Sequence, residues 1–73
     1  MNANYPPKAG EALNPQEIDV LNMLKEGYSQ PLAAEMLGRA LGTTKNQALY
    51  ILIKLDAPNM VNAAYKAAKA GLI

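Results

Sequence analysis

The sequence predicts a small all-α domain built from four short helices. Apolar residues recur every three or four positions in successive segments, which is the spacing of amphipathic helices. Proline, glycine and asparagine separate these segments, and no stretch alternates apolar with polar residues as a half-buried strand does. The 73 residues suffice for one domain. We assign this domain to residues 13–73 and expect residues 1–12, which show no periodicity, to form a flexible N-terminal arm.

The segment Asn14-Pro15-Gln16-Glu17 predicts the start of the first helix. Asparagine is a good helix cap, proline is favourable at the first helical position, and Glu17 has the spacing of a capping-box carboxylate. Ile18, Leu21 and Leu24 form the buried stripe of this helix, and Gly27 ends it.

The second helix is predicted to begin between Ser29 and Pro31. The residues expected to face inward are Ala33, Met36, Leu37, Ala40 and Leu41. This pattern puts Gly38 inside the helix, where the missing side chain would let a neighbouring helix approach closely.

The third helix is predicted over about Lys45–Leu55, since Thr44 and Gln47 have capping-box spacing. The residues expected to face inward are Ala48, Ile51, Leu52 and Leu55. Local chemistry therefore puts the turn between the second and third helices at Gly42. Two packed helices joined by a short glycine-containing turn are typical of helix-turn-helix proteins. A β wing is not expected, because the chain after the third helix is again helical.

The fourth helix is predicted to begin at Pro58 and to be ended by Gly71. The residues expected to face inward are Val61, Ala64, Tyr65 and Ala68. Its Ala-rich face suits contact with another helix better than contact with a membrane. We therefore expect helix 58–70 to join two copies of the chain in a homodimer.

The outward face of the third helix carries side chains that can read DNA. Asn46 and Gln47 can present a paired donor and acceptor to adenine, and Lys45 can hold a phosphate or reach a guanine edge. Thr43 and Thr44 can donate to phosphates, assisted by the positive end of the helix dipole. The candidate DNA-binding residues are Thr43, Thr44, Lys45, Asn46, Gln47, Tyr50 and Lys54. We predict a small transcriptional regulator that binds double-stranded DNA.

A second interpretation comes from apolar residues on the same outward face. Leu49, Tyr50 and Ile53 are poor phosphate contacts, and exposed apolar clusters mark partner surfaces. The net charge of +1 is also small for a nucleic-acid binder. The alternative is thus a helix-turn-helix module that docks on a larger transcription factor as an antiactivator or co-regulator.

Catalysis, metal binding and membrane insertion are not expected. The sequence contains no Cys and no His, which removes thiolate and imidazole ligands and His-based acid–base chemistry. The acidic residues are scattered, and no nucleophile–base pair or phosphate-binding loop is present, so we predict neither an enzyme nor a cofactor. The chain has neither an apolar run of about 18 residues nor the apolar segment of a signal peptide. We expect a cytoplasmic protein.

The order of these motifs resembles the DNA-binding domain of LuxR/GerE-type transcription regulators. The segment Leu13–Glu17 is similar to the family's Leu-Thr-Pro-x-Glu opening, and Val20–Ser29 resembles the adjoining family segment. The tail Ala63–Ile73 resembles the family's Ala-rich last helix and its Gly-Leu-Leu end. Other residues on matching family positions are Thr43, Lys45, Ile51, Lys54 and Leu55. The resemblance implies a four-helix DNA-binding fold that acts in transcriptional control.

The chain also departs from that family. The ungapped match places the family's turn at Gly38, whereas local capping chemistry favours Gly42, so both positions stay open. A family His is replaced by Gln47. Family positions that are usually polar or basic hold Leu49, Tyr50 and Ile53.

Overall fold

The computed structural model describes residues 6–73, and the regular elements of this part are α-helices. These are α1 (Pro15–Lys25), α2 (Gln30–Leu37), α3 (Leu41–Leu55) and α4 (Met60–Lys69). The longest helix, α3, packs against each of the other helices, and so does α1. The predicted all-α architecture of four helices is confirmed for these residues.

The start of α1 is fixed by the predicted capping box. The Glu17 N–H donates to Asn14 Oδ1 at 2.8 Å, and the Asn14 N–H donates to Glu17 Oε1 at 3.0 Å. Pro15 occupies the first turn, where its missing N–H is not needed. The Ser29 hydroxyl caps α2 in the same manner by accepting from the Leu32 N–H at 3.3 Å. Both starts agree with the sequence.

The core lies where α1, α3 and α4 meet. Its fully buried members are Val20, Leu21, Ile51, Ala63 and Ala67. Burying each of the larger three contributes about 1.5–3 kcal/mol, and the alanines let α4 approach closely. Helix α2 buries Ala33 and Ala34, so it also packs through small side chains.

The predicted inward face of α4 is wrong. Val61 is 83% exposed and Tyr65 is 60% exposed, whereas Ala63 and Ala67 face the core. The helix begins only at Met60, with the Asn59 side chain accepting from the Asn62 N–H at 2.8 Å. The buried face of α4 is therefore formed by Ala63 and Ala67, with Met60 and Ala64 packed beside them.

Part of the predicted N-terminal arm contacts the domain. Pro7 is buried, and the Gly10 N–H donates to the Lys54 carbonyl oxygen at 2.8 Å. The Ala12 carbonyl oxygen accepts from the Lys54 ammonium group at 3.2 Å. The remainder of the predicted arm, residues 1–5, lies outside the described residues.

Candidate nucleic-acid interface

The turn between α2 and α3 consists of residues 38–40 and begins at Gly38. This glycine ends α2 in the left-handed conformation, with φ of 69°. The Arg39 N–H donates back to the Ala34 carbonyl oxygen at 2.8 Å, which closes the end of α2. The preferred turn at Gly42 is therefore wrong, as is the prediction that Gly38 lies within a helix. A short turn of this kind, opened by glycine, is the connection found in helix-turn-helix motifs.

The early start of α3 has a physical reason in its packing. Because α3 begins at Leu41, Thr44 precedes Ala48 by one helical turn, and both side chains face the interior. Ala40 precedes the helix and supplies no side-chain cap. A missing cap costs about 1 kcal/mol, which the added buried contacts offset. The predicted capping box of Thr44 and Gln47 does not form, because both residues already lie within the helix.

The uncapped end of α3 leaves backbone donors at the surface. Within the described residues, the N–H groups of residues 41–43 have no acceptor, whereas the Thr44 N–H donates to the Ala40 carbonyl oxygen. Leu41, Gly42 and Thr43 are all exposed. Unsatisfied N–H groups and the helix dipole together make this end electropositive.

Three of the predicted DNA-binding side chains lie at this end and are exposed: Thr43, Lys45 and Asn46. No ion pair or hydrogen bond holds the Lys45 ammonium group within the described part of the chain. Lys45 and Asn46 follow Thr43, the last residue with a free N–H group, by two and three residues, which is less than one helical turn. Donors for phosphate and an amide for a base edge are therefore next to each other.

Most other cations of the described chain are held by protein groups. Arg39 donates to the Gln16 carbonyl oxygen at 3.0 Å, to Asp19 at 3.1 Å and to Gln47 Oε1 at 3.2 Å. This guanidinium joins α1 to α3. The partners of Lys25, Lys66 and Lys69 are the Glu26 carboxylate, the Leu55 and Asp56 carbonyl oxygens, and the Tyr65 ring, respectively.

The pair of Lys25 and Glu26 is a local surface contact. The hydrogen bond from Lys25, at 2.6 Å, and its positive charge hold the pKa of the Glu26 carboxyl below its usual value. All seven basic residues lie in the described part, and there the ammonium groups of Lys8 and Lys45 are unpaired. Unpaired ammonium groups are consequently few in this part of the chain, and one of the two lies near the start of α3.

Lys54 has a structural partner on α1. Its ammonium group donates to Glu17 Oε1 at 2.9 Å and to the Ala12 carbonyl oxygen at 3.2 Å. The side chains of Lys54 and Glu17 are only 13% and 3% exposed. This ion pair joins the N-terminal segment, α1 and α3, and it explains why a carboxylate can be buried next to the core.

Thr44 and Gln47 also face protein rather than solvent. Thr44 is fully buried, and its Oγ1 atom has no hydrogen-bond partner among residues 6–73. Gln47 is half-buried and accepts from Arg39. Neither side chain lies beside Asn46 on the exposed face. Of the two amides predicted to contact adenine, only that of Asn46 is therefore exposed.

The apolar part of the outward face is also present. Leu49 is 51% exposed, and Tyr50 and Ile53 are partly exposed. On α2, Leu32 and Met36 are exposed as well, with Met36 at 49%. The exposure of Met36 contradicts the prediction that it faces inward. The surface of α2 and α3 is therefore more apolar than the sequence predicted.

The backbone donors of Leu41 and Gly42 were missed by the sequence-based prediction. Placing the helix start at Lys45 assigned both residues to the preceding helix or the turn. The signal that identifies them is the ungapped family resemblance, which put the turn at Gly38.

Comparison with protein-family models, with curated proteins and with solved structures finds no match to this chain. Within residues 6–73, no cluster of acidic side chains is arranged to hold a metal ion. Nor does any helix of that part have both the length and the apolarity to cross a membrane.

Proposed function

We propose that this protein is a small transcriptional regulator that binds double-stranded DNA through the N-terminal half of α3. The observation that carries the proposal is the uncapped, exposed start of α3, with Thr43, Lys45 and Asn46 beside its free N–H groups. Helix-turn-helix proteins insert the N-terminal end of their second helix into the major groove. The resemblance to LuxR/GerE domains supports the same assignment.

Each group at this end has a role on that proposal. The N–H groups of residues 41–43 and the Thr43 hydroxyl donate to a backbone phosphate. Lys45 neutralises a second phosphate or reaches a guanine edge, and Asn46 pairs with adenine in the major groove. Tyr50 lies one turn further along, at the edge of the interface. Thr44, Gln47 and Lys54 keep structural roles.

One domain with few cations binds DNA weakly. Nonspecific dissociation constants are commonly about 10⁻⁴–10⁻⁶ M, and the net charge of +1 puts this chain at the weak end. Two copies joined through α4 would double the contacts. The exposed side chains of Val61 and Tyr65, spaced by one helical turn, support α4 as the homodimer face.

The test is a titration with nonspecific duplex DNA at low and high salt, followed by amide chemical shifts. We expect salt-sensitive shifts centred on residues 41–50, and weaker binding with a salt slope lower by about 1 for Lys45→Gln. Lys8→Gln is the matched control, because it removes the other unpaired ammonium group. Lys8 belongs to the segment whose Gly10 N–H donates to the Lys54 carbonyl oxygen, at the opposite end of α3. Equal losses in both variants, or no shifts even at low salt, would refute DNA binding at α3.

The second candidate is docking on a transcription factor through the exposed apolar residues of α2 and α3. It is favoured by the exposure of Leu32, Met36 and Leu49, and by the small number of unpaired cations. Apolar docking is nearly independent of salt, whereas phosphate contacts are not. Transcript changes on overproduction would then be lost with Met36→Asp and kept with Lys45→Gln. The opposite pattern supports DNA binding.

A further inference from the structure

The exposed face of α3 places an amide and an apolar side chain next to each other. Asn46 and Leu49 are three residues apart, so their side chains are neighbours on one helix face. Both residues are exposed, and Leu49 is not among the residues that pack against the core. Leu49 also follows Lys45 by one helical turn. It therefore shares a surface with the groups that carry the proposed function.

The chemistry of this pair matches one kind of base pair. In the major groove, adenine presents an acceptor and a donor that an Asn amide can pair with, and thymine presents a methyl group. A leucine side chain offers its methyl groups to that thymine methyl, and it offers nothing to the polar edges of guanine or cytosine. Amide and leucine together are thus complementary to A·T base pairs.

The spacing agrees with two adjacent base pairs. Three residues advance about 4.5 Å along an α-helix, and stacked base pairs are about 3.4 Å apart. The contacts from Asn46 and Leu49 therefore fall on neighbouring steps when the helix lies along the groove. In addition, α3 contains no Asp or Glu from Leu41 to Leu55, so it has no carboxylate to accept from cytosine N4.

Resting on the proposed function, we propose that Asn46 and Leu49 select adjacent A·T base pairs. Asn46 pairs with adenine, and Leu49 packs on the C5-methyl group of a neighbouring thymine. Leu49 is then a specificity-determining residue of the DNA surface, while Lys45 and the free N–H groups supply affinity without selecting sequence.

The experiment measures fluorescence anisotropy with three duplexes of equal length, at low salt. One duplex is rich in A·T pairs, the second has every thymine replaced by deoxyuridine, and the third is rich in G·C pairs. Deoxyuridine keeps the hydrogen-bonding edge of thymine and lacks only its methyl group. The variants are Leu49→Ala and Asn46→Ala, with circular dichroism as the check that both fold.

We expect the wild-type protein to lose about fourfold in affinity per contacted methyl group on the deoxyuridine duplex. Leu49→Ala should bind the thymine and deoxyuridine duplexes equally well. Asn46→Ala should show a smaller preference for A·T over G·C than the wild type while keeping its sensitivity to the thymine methyl group.

Two failures are distinguishable. Duplex binding that ignores the methyl group, or a deoxyuridine loss of equal size in wild type and Leu49→Ala, overturns the role of Leu49 and leaves DNA binding intact. Binding to none of the three duplexes overturns the proposed function, and the inference with it.

Discussion

Thr44 offers the sharpest test of how α3 is packed. Its side chain is fully buried, and its Oγ1 atom has no hydrogen-bond partner within the described part of the chain. A buried polar group without a partner keeps the cost of its lost hydration. Replacing Thr44 by Val keeps the shape of the side chain and removes that hydroxyl. We therefore expect Thr44→Val to raise the free energy of unfolding.

The magnitude follows from the burial of the hydroxyl. An unsatisfied buried donor or acceptor costs about 1–3 kcal/mol, and Thr and Val have nearly the same helix propensity. We expect a gain of about 1–2 kcal/mol, near the lower half of that range, because local relaxation relieves part of the cost. For a domain of this size, each 1 kcal/mol raises the melting temperature by about 4–8 °C.

Urea unfolding followed by circular dichroism at 222 nm measures this gain directly. Thr43→Val is the matched control, since it makes the same substitution at the exposed neighbouring position. The control should change the free energy of unfolding by less than about 0.5 kcal/mol. A loss of stability for Thr44→Val would show that the hydroxyl has a partner, and the reasoning from its burial would fail.

The same pair of variants separates stability from binding. Thr43 lies beside the free N–H groups of α3, so Thr43→Val should weaken DNA binding without changing stability. Thr44 cannot reach an external phosphate from its buried position, so Thr44→Val should leave DNA affinity unchanged. If Thr44→Val alone weakened binding, α3 would have to open in the complex.

The remaining predictions concern the ion pair, the end of α3 and the face of α4. Lys54→Met should lower the free energy of unfolding by about 2–4 kcal/mol, because it leaves the buried Glu17 carboxylate unpaired. The control Lys45→Met, at an exposed position, should change the free energy of unfolding by less than about 0.5 kcal/mol. Equal effects of the two variants in urea unfolding would contradict the buried pair. Asp56 adopts a left-handed conformation with φ of 52°, so Asp56→Gly should stabilise the domain by about 0.5–1 kcal/mol and Asp56→Ala should not, measured by thermal unfolding. Val61→Asp should shift a dimer toward monomer in sedimentation equilibrium without loss of helix content, and an unchanged association constant would exclude this face.

Local sequence signals determined most of the secondary structure. Asn14, Pro15 and Glu17 fixed the start of α1, because side chain and backbone satisfy each other within four residues. Ser29 fixed the start of α2 for the same reason. Capping is a local interaction, so it can be predicted without knowing where the other helices lie.

The predictions from local signals were wrong for the start of α3 and for the inward face of α4. Thr44 and Gln47 have good capping spacing, yet α3 begins at Leu41 without a side-chain cap. A cap contributes about 1 kcal/mol, and burying Thr44 and Ala48 against the rest of the domain outweighs it. On α4, Val61 and Tyr65 have the spacing of core residues, but Ala63 and Ala67 occupy the buried face. Hydrophobic periodicity identifies a helix face without saying how near its neighbour lies.

The sequence alone therefore determined that this protein is an all-α domain with Lys45 and Asn46 on an outward helix face, because helical periodicity and caps are local properties. Only the tertiary structure decided which cations are available to a partner. Lys54 and Arg39 look like surface charges in the sequence, but their partners are 37 and 20 residues away in the chain. The fold brings those partners together, and it leaves the uncapped start of α3, with Lys45, as the charged surface on which the proposed function depends.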